Sequence, residues 1–221
     1  MDRDKKRGLF ITFEGIDGAG TTTQAALLHE TLEATFDKCL LTREPSDGPV
    51  GMLIRQILSG RLLGSVAKGD ATPFDRRSLA LLFAADRIDH LASEVLPAIR
   101  QGIQVVSDRY LLSSLAYQSL DSDETWVLEI NKNAPRPDIT ILLEVQVDEA
   151  LGRLAACRSN IDIFEKKQIL EKVAANYKRF TSKVGGMVKI VNGQGTVEQV
   201  RRAVWNAISP LLSNKKLGAG S

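Results

Sequence analysis

Leu9-Phe10-Ile11-Thr12-Phe13-Glu14-Gly15-Ile16-Asp17-Gly18-Ala19-Gly20-Thr21-Thr22-Thr23-Gln24 is the stretch on which the reading of the fold turns. Its apolar first part, Leu9 to Phe13, reads as a buried strand. From Ala25 onward, an apolar stripe including Leu28 and Leu32 recurs at helical spacing. Between the two lie Gly15, Gly18 and Gly20. Glycines this dense weaken an element unless the backbone must take a positive φ or approach something closely. A strand, a glycine-rich loop and a helix N-terminus in succession form an anion cradle. The loop N–H groups point inward, and the helix dipole favours negative charge. Gly15, Gly20 and Thr22 meet the phosphate-binding pattern G-x-x-x-x-G-K-[ST], with Thr21 where the pattern has lysine. The expected phosphate contacts are therefore Gly15, Ile16, Asp17, Gly18, Ala19, Gly20, Thr21, Thr22 and Thr23.

A chain of 221 residues is long enough for one domain with a substantial core. A formal net charge of +2 gives no argument for binding nucleic acid or a membrane surface. The charged start, Met1 to Arg7, is followed by no apolar segment of signal-peptide or membrane-spanning length. Cys39 and Cys157 lie far apart without metal-like spacing. They read as free thiols in a reducing cytosol, so the expected location is cytoplasmic.

Strands and helices alternate along the rest of the chain. Cys39 to Thr42 reads as a second strand, closed by Arg43-Glu44-Pro45-Ser46-Asp47-Gly48-Pro49. A helix from Val50 to Leu58 precedes a loop, Gly60 to Pro73, with little periodicity. A long helix then runs from Phe74 to Glu94, and Pro97 restarts a short one that ends at Gly102. Gln104 to Ser107 is a strand delivering Asp108-Arg109-Tyr110. Helices follow over Ser113 to Leu120 and Asp123 to Asn133, then the strand Ile139 to Glu144. Two further helices, the strand Met187 to Val191 and a helix from Val197 to Leu211 complete the chain. Buried strands flanked by helices predict an α/β fold with a parallel sheet covered on both faces. Ligands bind such sheets at the C-terminal ends of the strands. Gly15 to Thr22, Arg43 to Pro45 and Asp108 to Tyr110 all fall at such ends, and their convergence predicts one site.

These stretches together resemble the thymidylate kinase family of P-loop nucleoside monophosphate kinases. The resemblance rests on residues 13–23, on Thr42-Arg43-Glu44-Pro45 and on Leu82-Phe83-Ala84-Ala85-Asp86-Arg87. It continues in Asp108-Arg109-Tyr110 with Ser113, Ala116, Tyr117 and Gln118, in Pro137-Asp138 with Thr140, and in a lid-like segment from Arg158 to Glu165. It implies a three-layer P-loop kinase fold, with a five-stranded parallel sheet, helices on both faces and a small lid at about 153–166. One domain over 1–214 and a disordered tail over 215–221 complete the expectation. The implied activity is phosphorylation of dTMP to dTDP with ATP and Mg²⁺, in a homodimer.

Carried onto this sequence, the resemblance assigns catalysis to Asp17, Asp108, Arg109 and Arg158. It assigns dTMP binding to Asp17, Arg43, Glu44, Leu58, Phe83, Arg87, Arg109, Ser114, Tyr117 and Gln118. In it Phe83 stacks on the pyrimidine, Arg87 donates to its O4, Tyr117 excludes a 2′-hydroxyl and Arg109 grips the acceptor phosphate. Thr22 and Asp108 are the expected metal residues. Thr21 departs from the pattern, and three readings fit it. Another cation, Arg158, Arg153 or Lys166, reaches the donor phosphates; or the protein binds nucleotide with little turnover, as a regulator or partner subunit; or it phosphorylates another pyrimidine deoxynucleoside monophosphate.

Overall fold

A computed structural model describes residues 7–36, 38–65, 71–72, 74–155 and 163–217. Strand β1 (Phe10–Glu14) is buried at every position, as an apolar run without alternation requires when both faces are covered. It leads through the glycine loop into α1 (Thr21–Phe36), which turns Ala25, Leu28 and Leu32 inward. Strand β2 (Cys39–Arg43) is followed by α2 (Pro49–Leu58). Pro49 occupies its first turn, where a missing N–H has no helical partner to lose.

Within the stretch expected to be loop, β3 (Gly64–Ser65) pairs antiparallel with β4 (Ala71–Thr72). Strands this short carry no period-two signal. Helix α3 (Arg76–His90) starts at Asp75, whose carboxylate accepts from the N–H groups of Arg77 and Ser78. It does not stop before Pro97. A π turn, Leu91–Val95, joins it to α4 (Leu96–Arg100). A proline has no N–H to give, and the widened turn before it absorbs the mismatch. Gly102, at φ 81°, closes the helix as expected.

Strand β5 (Gln104–Asp108) precedes α5 (Leu111–Gln118) and α6 (Glu124–Ile130). Then come β6 (Ile139–Glu144), α7 (Val147–Ala155), α8 (Ile163–Phe180), β7 (Met187–Asn192) and α9 (Val197–Leu217). Helix α9 passes Pro210 and outruns the expected Leu211; Leu212, 4% exposed, still packs into the core. Residues 215–217 of the expected tail are thus helical, and 218–221 lie outside the described residues. So do residues 156–162, which include Cys157, Arg158 and the middle of the expected lid.

The five long strands form one parallel sheet in the order β2-β5-β1-β6-β7, as expected for an α/β P-loop kinase fold. In its centre the hydroxyls of Thr12 and Thr140 satisfy each other at 3.0 Å, and Ser107, beside Thr12 on β5, donates to the Arg109 carbonyl at 2.8 Å. The register sets Phe13 beside Asp108 and Asp108 beside Arg43, so the loops after β1, β2 and β5 leave the sheet together.

The loop after β2 is seated on α2 at Gly51, where an added Cβ would stand 2.0 Å from the Ser46 carbonyl oxygen. Gly51→Ala is expected to lift that loop and lower stability by about 1–3 kcal/mol. Gly152, on α7, has nothing within 4 Å of its Cβ position. Gly152→Ala is expected to raise stability by about 0.5–1 kcal/mol. Chemical denaturation midpoints of the two variants should move in opposite directions.

Candidate active site

The glycine loop is fixed to the core by Ile16 and Ala19, 4% and 2% exposed. Gly18 has φ 84°, and a Cβ there would meet the Ala150 carbonyl oxygen at 2.4 Å, so both conformation and close approach require glycine. Gly20 has φ 93°, and a Cβ there would meet only Arg153 Nη1 at an ordinary 3.9 Å, so conformation alone selects it. Thr21 opens α1 with its side chain buried. Its methyl lies 3.4 Å from where a Cβ on Gly15 would stand, so it points across the loop. Thr22 and Thr23 are exposed. The Thr22 hydroxyl donates to Asp108 Oδ2 at 2.5 Å, and Asp108 Oδ1 is buried with no partner among the described residues.

Behind the loop stands Arg153 of α7. Its Nη1 donates to the carbonyls of Gly18 and Ala19, each at 3.3 Å, and its Nη2 to Gly193 O at 3.0 Å and Glu149 at 2.6 Å. A cation on the carbonyl end of a peptide polarises its N–H end. The Gly18 carbonyl leads to the Ala19 N–H, which donates to Ile16 O at 3.0 Å, and the Ala19 carbonyl to the Gly20 N–H in the cradle. Lys166 lies in the first turn of α8.

Arg109 joins the cradle to a second space. It is the only non-glycine residue with positive φ (75°) among the described residues, a conformation costing about 1–2 kcal/mol. Its N–H donates to Phe13 O at 2.8 Å, and its carbonyl accepts the Ser107 hydroxyl at 2.8 Å. The bend turns the side chain back over the loop. There Nη1 donates to Gly15 O at 2.9 Å and Tyr177 Oη at 3.0 Å, and Nη2 to Asp17 Oδ1 at 2.7 Å. Tyr117 lies under the guanidinium, 5.5 Å from ring centre to carbon, and its hydroxyl accepts the Asp17 N–H at 3.1 Å.

The second space is a cavity of about 500 Å³ between α2, α3, α5 and α8. Leu58, Leu79 and Phe83 give it an apolar wall; Ser114, Tyr117 and Gln118 line it from α5. Gln118 Oε1 has no hydrogen-bond partner among the described residues. Arg87, 1% exposed, lies at the floor. Its Nη2 donates to Glu44 Oε2 at 2.6 Å and Ser114 Oγ at 2.8 Å, its Nη1 donates to Asn131 Oδ1, and its plane covers Tyr110. Glu44 also faces His90 Nδ1 at 3.4 Å. Asp86 holds the adjoining loop, accepting from the Ser46 N–H at 2.7 Å and its hydroxyl at 2.6 Å.

Of the residues expected to bind the acceptor, Asp17, Glu44, Leu58, Phe83, Arg87, Arg109, Ser114, Tyr117 and Gln118 line this cavity. Arg43 does not; its guanidinium lies on Asp47 at 2.8 Å, on the exposed side of the loop. Arg158 lies outside the described residues. Sequence reading passed over Asn131, which orients Arg87 from a distant helix and leaves no local signal. It also passed over Tyr177 and over Glu14, although a carboxylate ending an apolar strand beside the cradle was visible. The arrangement can hold a phosphate chain in the loop and a planar, partly polar molecule in the cavity, with one arginine between them.

The sequence profile of the thymidylate kinase family matches residues 13–204. A probable thymidylate kinase of Pyrococcus abyssi is 42% identical over 200 residues, covering 90% of this chain and 94% of that protein. One of Pyrococcus horikoshii is 42% identical over 196 residues, covering 88% and 92%. One of Methanocaldococcus jannaschii is 41% identical over 197 residues, covering 89% and 93%.

Glu14, 1% exposed, has its carboxyl pushed up to about 7 by burial, against the pull of the Ser113 hydrogen bond and of Arg109 and Arg87. The folded protein therefore binds a proton that the unfolded chain releases near pH 4.5. This contribution to stability is full below that pH and is lost as pH rises through 7, by about 3 kcal/mol. Glu14→Gln is expected to flatten that slope in urea denaturation between pH 5 and pH 8. An unchanged slope would assign it to other groups.

Proposed function

The chain belongs to the thymidylate kinase family, and we propose that it transfers the γ-phosphoryl group of ATP to dTMP, giving dTDP for dTTP synthesis. The observation that carries this reading is Arg109. One guanidinium touches the phosphate cradle at Gly15 and Asp17 and lines the cavity in which an acceptor fits. Phosphoryl transfer leaves a protein little covalent chemistry, so positioning and charge stabilisation perform nearly all the catalysis.

In this reading the donor phosphates are held by the N-terminus of α1 and by the loop N–H groups other than those of Asp17 and Ala19, which donate to Tyr117 Oη and Ile16 O. Arg109 grips the acceptor phosphate, and Asp17 fixes that guanidinium from the loop side. The thymine lies against Phe83, with Leu58 near its methyl. Arg87, already oriented by Glu44, Ser114 and Asn131, presents N–H toward O4. A donor at that position favours thymine or uracil over cytosine, whose amino group would meet it. Tyr117 closes on the sugar and disfavours a 2′-hydroxyl.

Thr22 and Asp108, whose Oδ1 has no partner among the described residues, suit Mg²⁺ held mostly by nucleotide oxygens and water. Among the described residues no group of three or more His, Cys, Asp or Glu side chains is arranged for a metal, which fits an ion that arrives with the nucleotide. When bound, Mg²⁺ offsets charge on the phosphate oxygens.

Thr21 supplies no charge where the family pattern has lysine. Arg153 supplies it instead, by holding the loop's carbonyls from behind. Leu81, Ala85 and Ile88 form an exposed apolar stripe on α3 at helical spacing, which supports a homodimer through that face; light scattering tests it. No helix among the described residues is long and apolar enough to cross a membrane. A cytoplasmic location completes the reading.

A coupled assay with ATP and Mg²⁺ is expected to show ADP formation with dTMP, less with dUMP and least with dCMP. Binding of dTMP without turnover would defeat the kinase reading, and faster dUMP or dCMP turnover would reassign the substrate. Arg153→Ala is expected to lower kcat about a hundredfold, or about 3 kcal/mol of barrier. Adding Thr21→Lys to it should restore most of that loss. An unchanged kcat in Arg153→Ala would place the compensating cation elsewhere, and Arg158→Ala is the parallel measurement.

A further inference from the structure

The transfer described above makes no use of Glu14, although it ends β1 directly before the cradle. Its Oε2 accepts the Ser113 hydroxyl at 2.5 Å, while Oε1 is buried with no hydrogen-bond partner among the described residues. Ser113 Oγ lies 2.8 Å from Tyr177 Oη, and both accept from Arg109 Nη1, at 3.3 and 3.0 Å. Because Ser113 spends its one proton on Glu14, the chain of donors runs one way, from Arg109 through Tyr177 and Ser113 to the carboxylate.

The charged groups facing Glu14 are Arg109 from the junction of β5 and α5, Arg87 from α3, and Glu44 from the loop after β2. The phenols of Tyr177 on α8 and Tyr110 also face it. With Glu14 ionised, Glu14 and Glu44 already balance the two arginines, and Asp17 adds a further negative charge on Arg109. An acceptor phosphate arriving as a dianion finds that positive charge already matched. Oε1 offers the remedy, since a proton placed there leaves the Ser113 bond to Oε2 intact.

We propose that Glu14 takes up a proton from solvent when the acceptor monophosphate docks on Arg109, so that it acts as a positioning residue whose negative charge is exchanged for that of the substrate. The inference rests on reading the cavity as a nucleoside monophosphate site. Burial brings the carboxyl to about 7 before any ligand arrives, so modest added repulsion completes its protonation.

At pH 8 dTMP is fully dianionic, since the second pKa of a phosphate monoester is about 6. A proton taken up on binding at that pH goes to the protein. Titration calorimetry of the unaltered protein, in buffers of different ionisation enthalpy, is expected to show uptake of about half a proton or more per dTMP. Thymidine, which lacks the phosphate, should show none. Glu14→Gln keeps an oxygen for Ser113. It should lose the uptake, bind dTMP about tenfold more tightly than the unaltered protein at pH 8, and match it at pH 6. The unaltered protein's proton count stands whether or not the variant folds. Binding of dTMP without uptake, or uptake that persists in Glu14→Gln, overturns the role of Glu14 and leaves the dTMP reading intact. Equal weakening of the variant at every pH reduces Glu14 to a structural group and also overturns it. Failure of dTMP to bind at all overturns both.

Discussion

The parallel register of β2, β5 and β1 is the constraint on which the site depends. Phe13 lies beside Asp108, and Asp108 beside Arg43, so loops far apart in the chain leave the sheet at one edge. Parallel strands need a crossover between each pair, which places every C-terminal end on one side of the domain. Arg109 exploits that edge. Its left-handed backbone is held by hydrogen bonds from its N–H to Phe13 and from Ser107 to its carbonyl, and the resulting bend carries the guanidinium over the glycine loop instead of along β5. A strained residue persists where its surroundings over-determine it, and here four acceptors on three elements do so.

The cavity floor is organised by a buried ion pair. Arg87 and Glu44 are both almost fully enclosed, and removing two charges from water is unfavourable unless further hydrogen bonds complete their shells. Asn131 and Ser114 do this for Arg87, and His90 stands beside Glu44. The Asn131 amide is itself fixed by donating to Val127 O at 2.8 Å, so a helix outside the site controls the angle of a group inside it. Such a floor is set before substrate arrives, and donors already aimed have little reorganisation left to undergo. The glycine loop uses the same principle from its outer side, where Arg153 engages the carbonyls of Gly18 and Ala19 and so fixes the loop before anything binds.

Much of this was legible in the residues. The glycine loop, the order of strands and helices and the parallel class followed from apolar runs and turn chemistry, which act over a few residues. The differences arise where the outcome leaves no local pattern. Pro97 looked like a break because a proline removes a donor, yet a π turn several residues earlier absorbed it. The ribbon of β3 and β4 was too short to leave a pattern. Arg43, an expected phosphate ligand, is paired with Asp47 and does not line the cavity. Periodicity records neither a widened helical turn, nor a two-residue strand, nor the ion pair that a side chain makes.

The sequence by itself therefore determined the glycine loop and the fold class, and named most of the groups that line the cavity, because glycine placement and hydrophobic period are local properties. Only the tertiary structure decided what those groups do for one another. It joined Glu14 to Arg109 through side chains from α5 and α8, fixed Arg87 from α6, and brought Arg153 behind a loop that lacks lysine. The physical reason is that charge compensation and hydrogen-bond satisfaction depend on distance in space. Residues some 90 to 170 positions apart come within hydrogen-bonding reach only when the sheet is assembled.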